Sequence, residues 1–164
     1  MKATIIPIAN EYAAAVIDLI LNIQQKEFNV PITLEDQPDL LEISNFYHSR
    51  GGCFWGAFID GELIGTIALV KFDDQGGAIR KMFVKKEYRG KELLIAQQLL
   101  DTLVAYSKEN GLHHLYLGTV SILKAALRFY ERNNFIRVEK EALPVAFPLM
   151  NPDNVFCHLT LNQI

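Results

Sequence analysis

The stretch Ile79-Arg80-Lys81-Met82-Phe83-Val84-Lys85-Lys86-Glu87-Tyr88-Arg89-Gly90-Lys91-Glu92-Leu93-Leu94-Ile95-Ala96 decides how this chain is read. Its apolar first half is strand-like, a short basic loop containing Gly90 follows, and the loop opens a helix. The first turn of a helix leaves backbone N–H groups unpaired, and its dipole favours negative charge. Such a turn beside Arg89 and Lys91 suits a phosphate or pyrophosphate. The alternative is that these cations merely solvate a strand end and a loop. No GxxxxGK[ST] or GxGxxG sequence occurs in the chain, so the usual nucleoside-triphosphate and dinucleotide sites lack support.

Working outward, Ala78–Val84 is a strand preceded by the turn Asp73–Gly77, and the helix runs from about Leu93 to Asn110, where Asn110-Gly111 ends it. Cys53–Ile59 and Glu62–Val70 are strands joined by Asp60-Gly61, a type I′ hairpin signal. Thr4–Ile8 is a first strand. Asn10 is placed to cap a helix with apolar Ala13, Val16, Ile17, Ile20 and Ile23. A second helix is expected near Asp36–His48, stopped by Gly51-Gly52. Downstream, His113–Thr119 is a strand and Ser121 a candidate cap for a helix that Asn133-Asn134 ends. Strands at Phe135–Glu139 and Val155–Leu161 complete the order βααβββαβαββ, a mixed α/β arrangement.

The 164 residues, half of them hydrophobic, fit one domain spanning 1–164. The net charge of −3 is unevenly spread. Residues 1–75 hold 4 Lys/Arg against 11 Asp/Glu, net −7, whereas residues 80–91 hold six cations against Glu87, net +5. Six cations in one segment of an otherwise acidic chain argue against nucleic-acid binding. No signal peptide or membrane span is legible, so a cytoplasmic location is expected. Cys53 and Cys157 lie in apolar alternating stretches and read as buried free thiols. The four histidines have no metal-ligand spacing, and no metal is expected.

The segment Ala125-Ala126-Leu127-Arg128-Phe129-Tyr130-Glu131-Arg132-Asn133-Asn134-Phe135 changes the weight of the basic loop. Together the two stretches resemble the GNAT superfamily of acyl-CoA-dependent N-acetyltransferases. The family's loop reads approximately (Q/R)xxGx(G/A), and a later helix carries an AxxFYxxxGF-like pattern, matched here at Ala126, Phe129, Tyr130 and Phe135. Asn134 replaces the usual Gly before the last Phe; Asn also visits the left-handed region. The loop aligns best as Lys91–Ala96, which puts Leu94 where the family keeps Gly.

The resemblance implies a mixed, mostly antiparallel central sheet flanked by helices, with acetyl-CoA as cosubstrate. It implies that the backbone of Met82, Phe83 and Val84 pairs with pantetheine. It further implies that the amides of Arg89, Gly90, Lys91, Glu92, Leu93, Leu94, Ile95 and Ala96 cradle the pyrophosphate, and that Thr119 touches the pantetheine. Arg89 and Lys91 would add charge-assisted contacts. Tyr130 becomes the candidate general acid for the leaving thiolate. Ordinary values of about 10 for a phenol and about 8.5 for a thiol make full transfer uphill by roughly 2 kcal/mol, so donation must be concerted with bond breaking.

The acceptor implied is a primary amine of a small molecule or peptide. Deprotonating an alkylammonium at pH 7 costs roughly 4.6 kcal/mol, so a base, a water path or a low-pKa amine is needed. Glu27, Glu35, Asp36 and Asp39 lie in the acidic first part of the chain without marking a base, and that acidity suits a cationic acceptor. The Pro-rich stretch Leu143–Pro152 is read as a core loop, an acceptor-pocket wall or a contact of a homodimer. Alternatives of other classes are a non-catalytic acyl-CoA-binding or regulatory module, which Leu94 favours, and an enzyme acting on a ribosomal protein or aminoacyl-tRNA.

Overall fold

A computed structural model of the protein describes residues 2–90, 94–150 and 153–161. Seven strands form one sheet: β1 (Thr4–Pro7), β2 (Cys53–Ile59), β3 (Glu62–Lys71), β4 (Gly76–Val84), β5 (His114–Thr119), β6 (Ile136–Val138) and β7 (Val155–Thr160). Their spatial order is β1-β2-β3-β4-β5-β7-β6, and every neighbouring pair is antiparallel except β4 with β5. The mixed α/β order expected from the sequence is the one observed. Asp60 (φ 49°) and Gly61 (φ 78°) turn the β2–β3 hairpin with two left-handed residues, as Asp-Gly predicts.

Alternation along the strands divides the core between two faces. Cys53, Trp55, Ala57 and Ile59 pack with Leu99 and Leu103 of helix α3 (Ile95–Glu109). On the opposite face Phe54, Ala68 and Val70 meet Val16 and Ile20 of α1 (Ala13–Leu21), together with Ile43 and Tyr47. Helix α2 (Ile43–Phe46) belongs to this second layer, and α4 (Lys124–Arg132) puts Tyr130 into the first. Both cysteines are buried and free. No helix among the described residues is long and apolar enough to cross a membrane.

Three local expectations are corrected, two because a distant partner overrides a local signal and one because a tight turn competes with the helix. Asn10 does not cap α1; its Oδ1 accepts a hydrogen bond from the Ser44 N–H (3.1 Å), and a 3₁₀ turn at Asn10–Tyr12 leads into the helix. Ser121 does not cap α4, which starts at Lys124; the Ser121 N–H donates to Asn154 Oδ1 (2.9 Å). The single helix expected over Asp36–His48 is three short pieces, Pro38–Leu41, Ile43–Phe46 and His48–Arg50. There the Asp36 carboxylate takes the Thr33 N–H and hydroxyl, closing a turn that competes with helix.

Two irregularities position the site. Beyond Leu21 the first helix widens into a π-type segment, Asn22–Glu27, that carries Gln24 and Glu27. In β4 the register with β3 shifts between Thr66 and Ala68, which pair with Phe83 and Arg80, so β4 carries one extra residue. Lys81 sits in this bulge at φ 57°, and the buried Thr66 hydroxyl donates to the Lys81 carbonyl (2.6 Å). A bulge bends its strand and re-aims side chains.

Candidate active site

β4 and β5 pair only from Gly76↔His114 to Ile79↔Leu117, although β4 continues to Val84 and β5 to Thr119. Beyond Ile79 the two strands part, and a cleft opens between them. Met82 and Phe83 line it from β4, Leu117, Gly118 and Thr119 from β5, and Ala126 and Tyr130 from α4. Phe147, Pro148 and Met150 of the Pro-rich stretch form a wall of the same cleft, and Phe147 is also core. The stretch is therefore in part a core loop, and it also borders the cleft.

The cleft brings together Met82, Phe83, Thr119 and Tyr130 from the expected set. Val84 is buried beside it, and its carbonyl accepts the Arg89 Nε–H (2.7 Å). Arg89 turns its guanidinium to Glu27, which it grips through both terminal nitrogens, and to the Phe28 ring. Its side chain is thus committed to the N-terminal helical segment, where a charge-assisted phosphate contact was expected. That pairing holds the Glu27 carboxyl below its ordinary range, with the hydrogen bond from Arg89 as the main cause. Lys85 likewise meets Glu62 (2.7 Å). Arg89 and Lys85 of the basic run are thus each paired with an acid distant in sequence.

Gly90 is exposed; Lys91, Glu92 and Leu93 lie outside the described residues. Leu94 stands just before α3 in the left-handed region (φ 52°, ψ 33°), with 56% of its surface exposed. That is the conformation a glycine adopts without steric cost, which agrees with the alignment of Leu94 to the family's Gly. Ile95 is buried and Ala96 half-buried.

Tyr130 is almost fully enclosed, edge-on to both Phe129 and Phe135. Burial, more than the nearby Cys157 and Asp153, pushes its phenol well above the ordinary value. A neutral phenol is a hydrogen-bond donor, and the higher its pKa the more its proton transfer must follow charge developing on the receiving atom.

Sequence reasoning missed the cleft's ionic half. Arg80 and Lys81, expected to belong to the phosphate-facing basic run, instead line the cleft beside Asp39. Lys81 Nζ donates to Gln37 Oε1 (2.5 Å) and lies 3.6 Å from Asp39 Oδ2. The Tyr47 hydroxyl donates to the same Asp39 oxygen (2.6 Å), and Gln37 pairs with Gln24 of the π-type segment (2.9 Å). Desolvation lowers Lys81 to about 8 against the opposing pull of Asp39. Two adjacent cations within the otherwise apolar Ala78–Val84 were the available signal, because an apolar strand carries consecutive charges inward only for a partner.

Asp153 had no such signal, standing in an irregular loop. Its carboxylate overlies Gly118, where a Cβ would meet Asp153 Oδ2 at 2.6 Å. The absence of a side chain at Gly118 lets the acid lie against β5 at the mouth of the splay. Burial raises Asp153 to about 6, offset in part by Arg80 and Lys81. Among the described residues no group of acids, cysteines and histidines could hold a metal ion.

A parallel pair of strands that part midway, with a tyrosine from the following helix in the gap, agrees with the resemblance to the acyl-CoA-dependent N-acetyltransferases. The family model for the GNAT acetyltransferase family matches residues 17–135, and the chain belongs to that family. It is 32% identical over 109 residues to the probable N-acetyltransferase camello of Xenopus tropicalis, covering 65% of this chain and 49% of that protein. It is also 32% identical over 102 residues to the N-acetylaspartate synthetase of Danio rerio, covering 61% of this chain and 36% of that protein. The chain thus spans about half or less of these curated relatives. The crystal structure of a GNAT-family acetyltransferase from Staphylococcus aureus Mu50 superposes with a TM-score of 0.94 at 38% identity, covering 98% of this chain and 99% of that one.

Proposed function

We propose that the protein transfers the acetyl group of acetyl-CoA to a primary amine of a small molecule or peptide by direct attack. The observation that carries this reading is the parting of β4 from β5 after Ile79, with Tyr130 lining the gap. The pantetheine arm lies between the strands along the backbone of Met82, Phe83 and Val84, with Thr119 opposite. The pyrophosphate rests on the amides of the segment from Arg89 to Ala96, which leads into α3.

In the reaction the amine nitrogen forms a bond to the thioester carbonyl carbon, and the carbon–sulfur bond breaks. The Tyr130 hydroxyl donates its proton to the sulfur as thiolate charge develops. Asp153 takes the proton lost by the amine, its raised pKa of about 6 making it a stronger base than an ordinary carboxylate while still ionised at neutral pH. Family membership and the similarity to N-acetyltransferases support the reaction class; the residue roles rest on their placement in the cleft.

The test is thermal stability with acetyl-CoA, followed by turnover of an amine panel read as free CoA thiol. A ligand at about 100 times its Kd stabilises the folded state by about 2.7 kcal/mol, so a rise in Tm is expected. No shift with acetyl-CoA or CoA would overturn the reading. A shift without turnover of any amine would favour a non-catalytic acyl-CoA-binding module.

A further inference from the structure

The cleft holds a buried donor without an acceptor among the described residues. The Arg80, Lys81 and Asp39 side chains are 12%, 4% and 4% exposed; both cations face the Asp39 carboxylate, and Asp153 is the second acid at the cleft. Asp39 already takes the Tyr47 hydroxyl, and its distance to Arg80 Nη2 is 3.9 Å, an ionic contact too long for a hydrogen bond. Arg80 Nε is buried and finds no hydrogen-bond partner among the described residues. A buried guanidinium donor without an acceptor is rare and calls for one. Both cations line the cleft that also holds Tyr130 and Asp153.

We infer that Arg80 and Lys81 form a carboxylate-binding subsite, and that the acceptor is an amine whose own molecule carries a carboxylate, of the amino-acid class. The inference rests on the acetyltransferase reading and names the acceptor of that same cleft. A guanidinium's planar fork of donors matches the two oxygens of a carboxylate. Such an anion would give Arg80 its missing acceptor. The acidity of residues 1–75 does not point to a cationic acceptor: Glu11, Glu35, Glu42 and Glu62 are exposed and do not line the cleft, while Asp39 is already paired. The carboxylate anchors at β4, leaving the amine to reach the thioester between Tyr130 and Asp153.

The test compares L-amino acids with their carboxamides and with the corresponding decarboxylated amines, using the intact protein, acetyl-CoA and release of CoA thiol. At least one amino acid is expected to be turned over with kcat/KM at least 100-fold above its carboxamide. Arg80→Lys keeps a cation facing Asp39 but removes the fork. It is expected to raise KM for that amino acid at least tenfold, leave KM for acetyl-CoA unchanged and reduce the preference for the acid over the amide. Binding is read separately from the Tm of the CoA complex titrated with the same amino acids. Turnover of amides or decarboxylated amines in preference to acids would overturn the carboxylate subsite while leaving the acetyltransferase standing. So would a CoA complex that no amino acid stabilises. Failure of acetyl-CoA itself to stabilise the protein would remove the underlying reading.

Discussion

Replacing Asp39 with Asn would remove the negative charge beneath the cleft while nearly preserving shape. The Asn carbonyl can still accept the Tyr47 hydroxyl that Asp39 accepts at 2.6 Å. What is lost is the counter-charge of Arg80 (3.9 Å) and Lys81 (3.6 Å). Breaking a buried ion pair costs about 3–5 kcal/mol when the surviving charge has no escape. Arg80 has none, but Lys81 can lose its proton. Starting from a value of about 8, deprotonation at pH 7 costs about 1.4 kcal/mol, and without the Asp39 charge the value falls further. The expected loss is therefore about 2–3 kcal/mol at pH 7.

This loss depends on pH with a definite sign. Folded Lys81 is depressed below its unfolded value, so the cost of charging it appears as pH falls through its folded pKa. The variant's Lys81 titrates lower than the wild type's. Between those two values the wild-type fold binds more protons, and the destabilisation grows by up to about 1.4 kcal/mol for each unit of pH decrease. Urea unfolding followed by the fluorescence of Trp55, the one tryptophan and a buried one, measures this between pH 6.5 and 9. Adding Lys81→Met to Asp39→Asn should abolish the slope. A loss below 1 kcal/mol, or one independent of pH, would refute the charge argument.

Three further outcomes are expected. Tyr130→Phe should lower kcat by about 10²–10⁴-fold, the usual range for a general acid, with acetyl-CoA still raising Tm; an unchanged kcat on an identified amine removes the acid role. Asp153→Asn should abolish the acidic limb of kcat/KM, which in the wild type is expected to fall as pH drops below about 6. Because folded Asp153 is raised, the stability it contributes is present at low pH and lost as pH rises through about 6, so this variant should become more stable than wild type above that pH, by a margin that vanishes toward pH 4. Leu94→Gly relieves a left-handed Leu worth about 1–2 kcal/mol against about 0.4–1 kcal/mol of added unfolded-state entropy; Tm should hold or rise, and a clear fall would show that the exposed side chain packs usefully.

Much of the fold was legible because its signals are local. Asp60-Gly61 sets the β2–β3 turn through its own backbone preferences, and Asn134 takes φ 72° at the end of α4, as an Asn at that place can. The alternation Cys53, Trp55, Ala57, Ile59 on one face and Phe54 on the other defines a strand buried on both sides. Caps were less legible. Asn10 and Ser121 carry suitable side chains, yet their partners, Ser44 and Asn154, stand 34 and 33 positions away.

By itself the sequence determined the order of strands and helices, the family pattern around Tyr130, and the place of Leu94 at a position suited to glycine. These depend on near neighbours in the chain and on periodicity. Only the tertiary structure decided where the charges of Arg80–Arg89 turn. They are not one patch: Arg89 turns to Glu27, Lys85 to Glu62, and Arg80 with Lys81 to Asp39. A charge count sums residues along the chain, whereas the electrostatic energy is set by distance and desolvation in space. The bulge in β4 and the parting of β4 from β5 place Arg80 and Lys81 in the cleft, and the bare Gly118 lets Asp153 join them there.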